Sequence, residues 1–176
     1  ISSLLGACGL SVGTYTSPHL ESVNERIRRN GAPIPDDDLA EQIAGVAAAE
    51  VVAGVRPSYF EALTAAAFRW FADVAVDVMV VEVGLLGRWD ATNIVDAQVA
   101  VITNIGLDHM EFAGPTRAHI AAEKAGIITP QSAVIVGETD PELVSIIARE
   151  EHAALLRRGD DFDVSDNTLA LGGRSV

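Results

Sequence analysis

The sequence predicts an α/β fold in which a parallel β-sheet is flanked by helices on both faces. Short apolar runs alternate along the chain with longer segments whose apolar residues recur at helical spacing, and this alternation is typical of such sheets. One run, residues 78–81, reads Val-Met-Val-Val without a polar residue. A run so short and so apolar predicts a strand that is buried on both faces.

Composition argues against several classes of partner. The chain has 176 residues, 49% of them hydrophobic, which is enough for one sizeable core and one domain. The formal net charge of −13 argues against binding nucleic acid or an anionic membrane, because both need basic patches. An anionic small substrate is compatible with this charge, since a metal ion or a helix N-terminus can hold a phosphate locally.

Cellular location and completeness are predicted from the cysteine count and the chain ends. Cys8 is the single cysteine, so the chain cannot form an intrachain disulfide, which fits the reducing cytoplasm. No apolar run approaches the roughly 20 residues that a membrane helix needs, and we find no secretory signal. The chain begins without methionine and ends in a predicted strand and turn, so we expect a fragment of a longer protein.

The N-terminal part is predicted to be mostly irregular. Residues 1–10 resemble the end of an amphipathic helix, and residues 11–15 a short strand. A loop is expected at residues 16–20, where Pro18 disfavours helix in the residue before it. Residues 21–34 are polar and are expected to form an exposed, irregular loop.

Two helices are predicted next. The aspartates at 36–38 are expected to supply an N-cap and first-turn negative charge to a helix that runs to about Ala53. A metal site made by these aspartates is the less favoured interpretation. Within this helix, four apolar residues share helical spacing: Leu39, Ile43, Val46 and Ala47. The second helix starts at Pro57–Ser58, and most of its apolar residues are expected to lie in the core.

Strands and helices alternate through the remainder of the chain. The helix that starts at Asp140–Pro141 is expected to run to about Arg157, and the acidic segment 160–163 to form a turn before further short strands. The other predicted elements are strands at 76–83, 97–103 and 133–137 and a helix at 116–125.

Four polar residues lie at the carboxyl ends of predicted strands or just beyond them: Ser17, Glu82, Asp108 and His109. In open parallel sheets, ligands bind beyond the carboxyl ends of the strands, so these residues are candidates for a divalent metal site. Two other interpretations stay open at this point. Glu82 could instead cap a helix or pair with an arginine. His109 could be structural, as a lone histidine more often is, and magnesium prefers oxygen ligands to a histidine nitrogen.

Lys124 is the only lysine in the chain. An amine that can lose its proton is useful where it must react. From position alone, however, the favoured interpretation is a cation near a helix C-terminus. The single lysine also excludes a phosphate-binding loop of the form G-x-x-x-x-G-K-[ST] in this chain, so any such nucleotide cradle must lie outside it.

Several segments, taken in order, carry a resemblance to a known family. They are Tyr15–Leu20 with Asn24–Ile27, Ser58–Glu61 with Leu63–Ala67, Glu82–Asn93, Ile102–His109 and Glu123–Ile128. Together they resemble the central ATPase domain of the folylpolyglutamate synthase and dihydrofolate synthase family, in the Mur ligase superfamily, whose fold is similar to P-loop NTPases. The resemblance covers about residues 1–140.

The resemblance implies an ATP-dependent, ADP-forming amide ligase that uses ATP and Mg²⁺. A substrate carboxylate would become an acyl phosphate, and the amino group of L-glutamate would then displace phosphate. The implied substrates are dihydropteroate or a reduced folate, L-glutamate and ATP. We expect a cytoplasmic monomer with neither nucleic-acid nor membrane partners.

The resemblance also implies roles for individual residues. Ser17, Glu82 and His109 match metal ligands, and Lys124 matches a lysine that carbon dioxide carbamylates. The matches to pterin-contacting positions are Ser58, Phe60, Asp90 and Ala91. Catalysis is therefore expected to depend on Lys124, Glu82 and His109.

Domain organisation follows from the same resemblance. Residues 1–158 are expected to form the ATPase domain without its N-terminal phosphate-binding segment, and residues 159–176 to begin a further strand region of that domain. The C-terminal glutamate-ligase domain is expected to be absent, so the chain should be inactive alone. The family commonly has glycine where Leu86 stands. The alternatives are another Mur-type ligase, acting on a cell-wall nucleotide or a polyglutamate, and a non-catalytic paralogue that keeps the fold.

Overall fold

The computed structural model describes residues 1–108, 110–165, 168–172 and 174–175. The chain divides into two compact units, Ile1–Gly84 and Leu85–Val176. The α/β class is confirmed, since both units contain parallel strands and flanking helices. No helix in the described part of the chain is long and apolar enough to cross a membrane.

The first unit contains one four-stranded sheet. Its elements are α1 (Ser2–Ala7), β1 (Val12–Tyr15), a 3₁₀-helix (Val23–Arg26), β2 (Ile27–Arg29), β3 (Ala32–Pro33), α2 (Asp36–Ala53), α3 (Tyr59–Asp73) and β4 (Val78–Val81). The strand order is β3-β2-β1-β4. Strands β1 and β4 are parallel, with Tyr15 opposite Val81, so their carboxyl ends lie side by side. The core of the unit consists of Tyr15, Ile27, Ile34, Leu63, Ala67, Trp70 and Phe71.

The prediction of an irregular loop at residues 21–34 is wrong. The segment forms the 3₁₀-helix and the antiparallel pair β2–β3. Apolar residues inside this polar stretch explain the difference, because Ile27 and Ile34 are fully buried. Asn30 and Gly31 make the turn between the two strands, and both have positive φ, which suits a tight hairpin.

Helix α2 has the predicted bounds, and its contact with α3 includes buried polar groups. Gln42 is buried, with its amide donating to Asp73 at 2.9 Å and accepting from Arg69 at 3.2 Å. Of the apolar residues at helical spacing, Leu39 packs against the core of the unit, whereas Ile43 is 37% exposed. The predicted aspartate N-cap is also wrong, because Pro35 occupies that position. The expected first-turn negative charge is present.

The second unit contains two three-stranded sheets. Its elements are a 3₁₀-helix (Ala91–Ile94), β5 (Val99–Ile102), α4 (Met110–Ala113), α5 (Arg117–Ala125), β6 (Ala133–Val136), α6 (Pro141–Ile147), β7 (Ala154–Arg157), β8 (Phe162–Ser165), β9 (Thr168–Leu171) and β10 (Arg174–Ser175). Strands β5, β6 and β7 are parallel, whereas β8, β9 and β10 are antiparallel. In the core of the unit, α5 and α6 pack against the parallel strands. The buried residues of this core are Ala100, Ile102, Ile105, Ile120, Ala121, Ala125, Ile128, Val134, Val136, Leu143 and Ile147.

The prediction of one helix from Asp140 to about Arg157 is wrong. Helix α6 ends at Ile147, and residues 154–157 form β7, which pairs with β6. The apolar pair at 155–156 continues the helical spacing by chance. Its actual role is to supply a strand at the edge of the parallel sheet, and local sequence does not contain that tertiary information.

Burial of the central strand on both faces is also not observed. In β4 no residue is fully buried, and Met79 is 41% exposed. Strand β5 alternates instead, since Val99 and Val101 are exposed while Ala100 and Ile102 are buried. An apolar run indicates that a strand can be covered, but it does not identify the element that covers each face.

Candidate active site

The carboxyl ends of β1 and β4 bring Ser17 and Glu82 together. The Glu82 carboxylate accepts a hydrogen bond from the Ser17 backbone N–H at 2.8 Å, and the Glu82 N–H donates to the Tyr15 carbonyl at 2.9 Å. This second bond extends the parallel ladder by one residue, which explains why the carboxylate is held at the strand end. The peptide bond between Ser17 and Pro18 is cis.

These two residues offer oxygen atoms suited to a divalent cation. Glu82 is exposed and Ser17 is half-buried. Within the described residues, the Ser17 hydroxyl and Oε1 of Glu82 have no hydrogen-bond partner. Magnesium is commonly held by one or two carboxylates together with water and substrate phosphates, so this oxygen pair fits such an ion. No cluster of three or more His, Cys, Asp or Glu side chains was found in the part of the chain that the structure describes.

Ser58 and Phe60 both take part in the folding of the first unit. Ser58 is the N-cap of α3 and forms a capping box with Glu61, whose carboxylate accepts the Ser58 N–H at 2.7 Å. Hydrogen bonds from the backbone and hydroxyl of Ser58 lower the pKa of Glu61. The Phe60 ring lies 5.9 Å from the ring of Tyr15, and a Cβ atom at Gly84 would overlap it.

Asp90 organises the loop between residues 85 and 95. One of its carboxylate oxygens accepts the Leu85 N–H at 2.8 Å, and the other accepts the Thr92 N–H at 2.9 Å and the Thr92 hydroxyl at 2.5 Å. Asp90 is therefore the N-cap of the 3₁₀-helix that starts at Ala91. The loop conformation depends on this side chain whether or not a ligand is bound.

Lys124 lies in the last turn of α5. The loop at 85–95 contacts this same end of α5. Its side chain is half-buried, and its amine makes no hydrogen bond or ion pair with any described residue. The backbone N–H of Arg88 donates to the Glu123 carbonyl at 3.0 Å. The structure thus brings Asp90, Ala91 and Lys124 into one connected region of the second unit.

His109 lies outside the described residues, so its predicted role as a metal ligand is not tested. Asp108, which precedes it, is exposed. The predicted site residues are therefore distributed over both units: Ser17, Ser58, Phe60 and Glu82 in the first, and Asp90, Ala91 and Lys124 in the second.

Comparison with known proteins determines the family. Residues 46–163 match the Mur ligase middle domain. The chain belongs to this family. It is also similar to the dihydrofolate synthase/folylpolyglutamate synthase of Escherichia coli K12, with 42% identity over 166 residues, which cover 94% of this chain and 39% of that protein. The chain thus spans about two fifths of the length of this relative.

Solved structures agree with this Mur ligase assignment. E. coli FolC in complex with DHPP and ADP is 39% identical, with a TM-score of 0.92 over 99% of this chain and 43% of that one. A bifunctional folylpolyglutamate synthase/dihydrofolate synthase with Mn, AMPPNP and L-glutamate bound is 36% identical, with a TM-score of 0.90 over 99% and 43%. The resemblance that the sequence segments carry is confirmed at the level of the family.

Leu86 stands where the family resemblance leads us to expect a glycine. In this Mur ligase domain its φ is +60°, in the left-handed region that costs a side-chain-bearing residue about 1–2 kcal/mol. The side chain packs against the core of the second unit, and this burial offsets the cost. The backbone here thus adopts the conformation that glycine enters most readily.

A buried carboxylate that the sequence did not identify holds the loop before His109. Glu138 follows β6 and is 7% exposed. It accepts the backbone N–H of Ile105 at 2.9 Å and pairs with Arg117 at 2.8 Å. Burial alone raises the pKa of Glu138. Hydrogen bonds from the N–H groups of Asp140, Ile105 and Thr139, together with the Arg117 charge, lower this pKa by more than burial raises it, so the net shift is downward.

A second carboxylate plays the same part for the loop that contains Ser17. Glu25 accepts backbone N–H groups from Leu20, Glu21 and Ser22 at 2.9 to 3.1 Å. Hydrogen bonds from Ser22 and Leu20 lower the pKa of Glu25. The signal was present in the sequence, since Ser22 and Glu25 have the S-x-x-E spacing of a capping box.

Proposed function

We propose that this chain is the ATPase domain of an ATP-dependent, ADP-forming amide ligase that adds L-glutamate to dihydropteroate, to tetrahydrofolate, or to both. The observation that carries the proposal is that the Ser17 hydroxyl and Oε1 of Glu82 have no hydrogen-bond partner among the described residues. They lie at the sheet edge of a chain similar to E. coli FolC in complex with DHPP and ADP. Binding of Mn, AMPPNP and L-glutamate by a further relative supports the same assignment.

In this proposal Ser17, Glu82 and His109 are ligands of Mg²⁺ ions, with Ser17 at a first ion and His109 at a second, as the resemblance implies. When bound, the metal neutralises charge on the phosphates of ATP during transfer. Glu82 contributes one anionic oxygen from a strand end, and its backbone bond to Tyr15 fixes the direction of approach. Glu25 holds residues 20–22 of the loop that contains Ser17, and the Ser17 N–H bonds to Glu82, so this loop is ordered before any ligand arrives.

The proposed reaction has two steps. A carboxylate oxygen of the folate substrate attacks the γ-phosphorus of ATP, the bond to the bridging oxygen breaks, and ADP leaves. The amino nitrogen of L-glutamate then attacks the carbonyl carbon of the acyl phosphate, loses a proton, and expels phosphate. Positioning and charge neutralisation supply most of the catalysis in such phosphoryl transfer.

Lys124 is proposed to react with carbon dioxide, forming a C–N bond and releasing a proton. The resulting carbamate presents oxygen atoms, which suit magnesium better than an ammonium group does. Lys124 is half-buried, and its amine has no partner among the described residues, so no ion pair among them has to break for it to react.

Ser58, Phe60, Asp90 and Ala91 are proposed to contact the pterin. An aromatic ring such as Phe60 can stack on a pterin. Asp90 already accepts three hydrogen bonds, but a carboxylate has about four lone-pair sites, so it retains the capacity to accept a ring N–H.

The proposal extends to the organisation of the protein. Residues 1–158 form the ATPase domain and residues 159–176 begin a further strand region of it, while a separate domain of a longer chain supplies part of the glutamate site. We further propose a cytoplasmic monomer that binds neither nucleic acid nor membranes.

One experiment tests the assignment directly. Phosphate release by the full-length protein is measured with ATP and L-glutamate, with dihydropteroate or tetrahydrofolate as the acceptor. Release that requires an acceptor supports the proposal, and the preferred acceptor identifies the substrate. Release with a cell-wall nucleotide alone would favour another Mur-type ligase. No release with any acceptor would favour a non-catalytic paralogue.

A further inference from the structure

Two segments that the proposed function uses separately are joined by one set of contacts. The loop at 85–95 contains Asp90 and Ala91, and the last turn of α5 contains Lys124. The loop donates hydrogen bonds to three carbonyls at the end of this helix, which flank Lys124 on both sides: Ala122, Glu123 and Gly126.

Arg88 makes the first half of this connection. Its backbone N–H donates to the Glu123 carbonyl at 3.0 Å, and its guanidinium donates to the Ala122 carbonyl at 3.2 Å. The same guanidinium forms an ion pair with Glu150 at 2.5 Å. Carbonyls in the last turn of a helix lack their usual partners within the helix. The Glu123 carbonyl also accepts the Gly126 N–H at 3.2 Å, so Arg88 adds a second donor there and supplies one to Ala122.

Asn93 makes the second half. Its side-chain amide donates to the Gly126 carbonyl at 3.0 Å and to the Arg88 carbonyl at 3.0 Å. One side chain thus ties the helix end to the loop and the loop to itself. We name this set of contacts the Arg88–Asn93 clamp.

Two glycines allow the close approach that the clamp requires. A Cβ atom at Gly87 would lie 2.9 Å from the Glu123 carbonyl oxygen and 3.1 Å from that of Lys124. A Cβ atom at Gly126 would lie 2.5 Å from Cβ of Arg88. Backbone therefore contacts backbone directly, which leaves little freedom for the loop and the helix end to move apart.

Asp90 is fixed to the same body. Its N–H donates to the Gly87 carbonyl at 3.0 Å, and its carboxylate accepts from Leu85 and Thr92. Asp90 and Lys124 are 34 residues apart in sequence, yet a short chain of hydrogen bonds through Gly87 and Arg88 connects their backbones.

We propose that Arg88 and Asn93 are positioning residues that hold Lys124 at a set place relative to the Asp90–Ala91 loop. The inference rests on the proposed function, because it treats Lys124 as the reactive amine and the loop as part of the substrate site. It adds that these two parts of the site form one rigid piece, so that damage to the clamp is felt in catalysis.

The test uses Arg88→Met and Asn93→Ala in the full-length enzyme, with Arg149→Met as the control. Arg149 is an exposed arginine beside Glu150, so its loss removes the same charge without removing a clamp contact. We expect kcat to fall about 10- to 100-fold in the two clamp variants, as misplaced catalytic groups typically cause. In the clamp variants the KM for ATP should change less than about twofold, because the clamp positions catalytic groups and not ATP. The kcat of the Arg149→Met control should also change less than about twofold, because its catalytic groups stay in place.

A second measurement does not depend on turnover. Reductive ¹³C-methylation labels lysines, and the Lys124→Arg variant assigns the Lys124 signal. The clamp variants should shift or broaden this signal, whereas the control should leave it unchanged. Circular dichroism checks folding. If Arg88→Met does not fold, Arg88→Lys replaces it, because this variant keeps the charge but removes the guanidinium that bonds to the Ala122 carbonyl.

The outcomes separate the two proposals. Unchanged kcat and an unchanged Lys124 signal in folded clamp variants would overturn the clamp, even if Lys124→Ala is inactive. Full activity of Lys124→Ala would instead overturn the role of Lys124 in the proposed function. A shifted Lys124 signal would still show in that case that the clamp positions this side chain.

Discussion

Ser17 and Glu82, in the first unit, contrast with Asp90 and Arg88, in the second. The first pair shares one hydrogen bond, from the Ser17 backbone N–H to the Glu82 carboxylate. In the part of the chain that the structure describes, the Ser17 hydroxyl and Oε1 of Glu82 have no partner. In the second pair, both carboxylate oxygens of Asp90 and the guanidinium of Arg88 bond to the protein itself. From this contrast we expect different roles for the two regions. The region of Ser17 and Glu82 would offer oxygen atoms to a ligand, whereas Asp90 and Arg88 would fix the position of the loop at 85–95 relative to the end of α5.

The largest effect on activity is expected from a substitution at Glu82, in the first unit. Glu82→Gln in the full-length enzyme should lower amide formation at least about 100-fold, since one anionic charge is lost where phosphate charge must be neutralised. Its fold should be intact, because the Glu82 backbone bond is unaffected. Phosphate release and circular dichroism are the measurements. Near-normal turnover by a folded variant would show that Glu82 is not a metal ligand.

Lys124→Ala should be the next most damaging change. We expect a loss of about 10- to 100-fold, because a group that orients the reaction is removed. Short carboxylic acids added to the assay should restore part of the activity, since their oxygens can replace those of the carbamate. The same acids should not help Glu138→Gln. Full activity of Lys124→Ala without any added acid would make this lysine purely structural.

Glu138→Gln tests the scaffold rather than the chemistry. A buried carboxylate with several donors loses its charge, so we expect unfolding free energy to fall by about 2–3 kcal/mol. The side chain of Arg117 is 40% exposed, and solvent screening keeps its share of this loss small. Chemical denaturation at pH 7 is the measurement, with the exposed Glu142→Gln as the control.

The same variant makes a pH prediction with a definite sign. Because the pKa of Glu138 in the folded chain lies below its ordinary value of 4.5, its stabilising contribution is present above that value. The contribution is lost as pH falls through the folded pKa. The gap in stability between the natural chain and Glu138→Gln should therefore narrow below about pH 4.5. A gap that stays constant down to pH 3 would contradict this account.

The smallest effect is expected at Leu86. Replacement by glycine relieves a left-handed backbone worth about 1–2 kcal/mol and removes a half-buried side chain of similar value. The two changes should nearly cancel, so the unfolding free energy should move by less than about 1 kcal/mol. Leu86→Ala keeps the backbone cost while losing the packing, and it should be clearly less stable than Leu86→Gly.

The parts of the fold and of the candidate site that can be predicted from sequence are those determined by residues close together in the chain. The 18-residue helix α2 has the bounds that the sequence predicts, from Asp36 to about Ala53, because the acidic first turn marks its start. Ser17 and Glu82 were predicted as neighbours because parallel strands bring their carboxyl ends together. Both predictions needed only short-range patterns and one general rule of topology.

The rest required tertiary information. Residues 154–157 have a helical pattern but form β7, because β6 offers an edge at that place. Glu138 could not be identified as a structural residue, since its partners Ile105 and Arg117 lie 33 and 21 positions away. The Arg88–Asn93 clamp escaped prediction for the same reason. Its acceptors are backbone carbonyls, which have no sequence signal.

The three hydrogen bonds that Glu25 accepts from Leu20, Glu21 and Ser22 have a consequence for binding entropy. Ordering one residue costs about 1–2 kcal/mol, and in this loop that cost is met when the chain folds. A cation that arrives at Ser17 therefore does not have to order the loop. Its dissociation constant should depend on how many ligand atoms it gains rather than on the freedom that the loop loses.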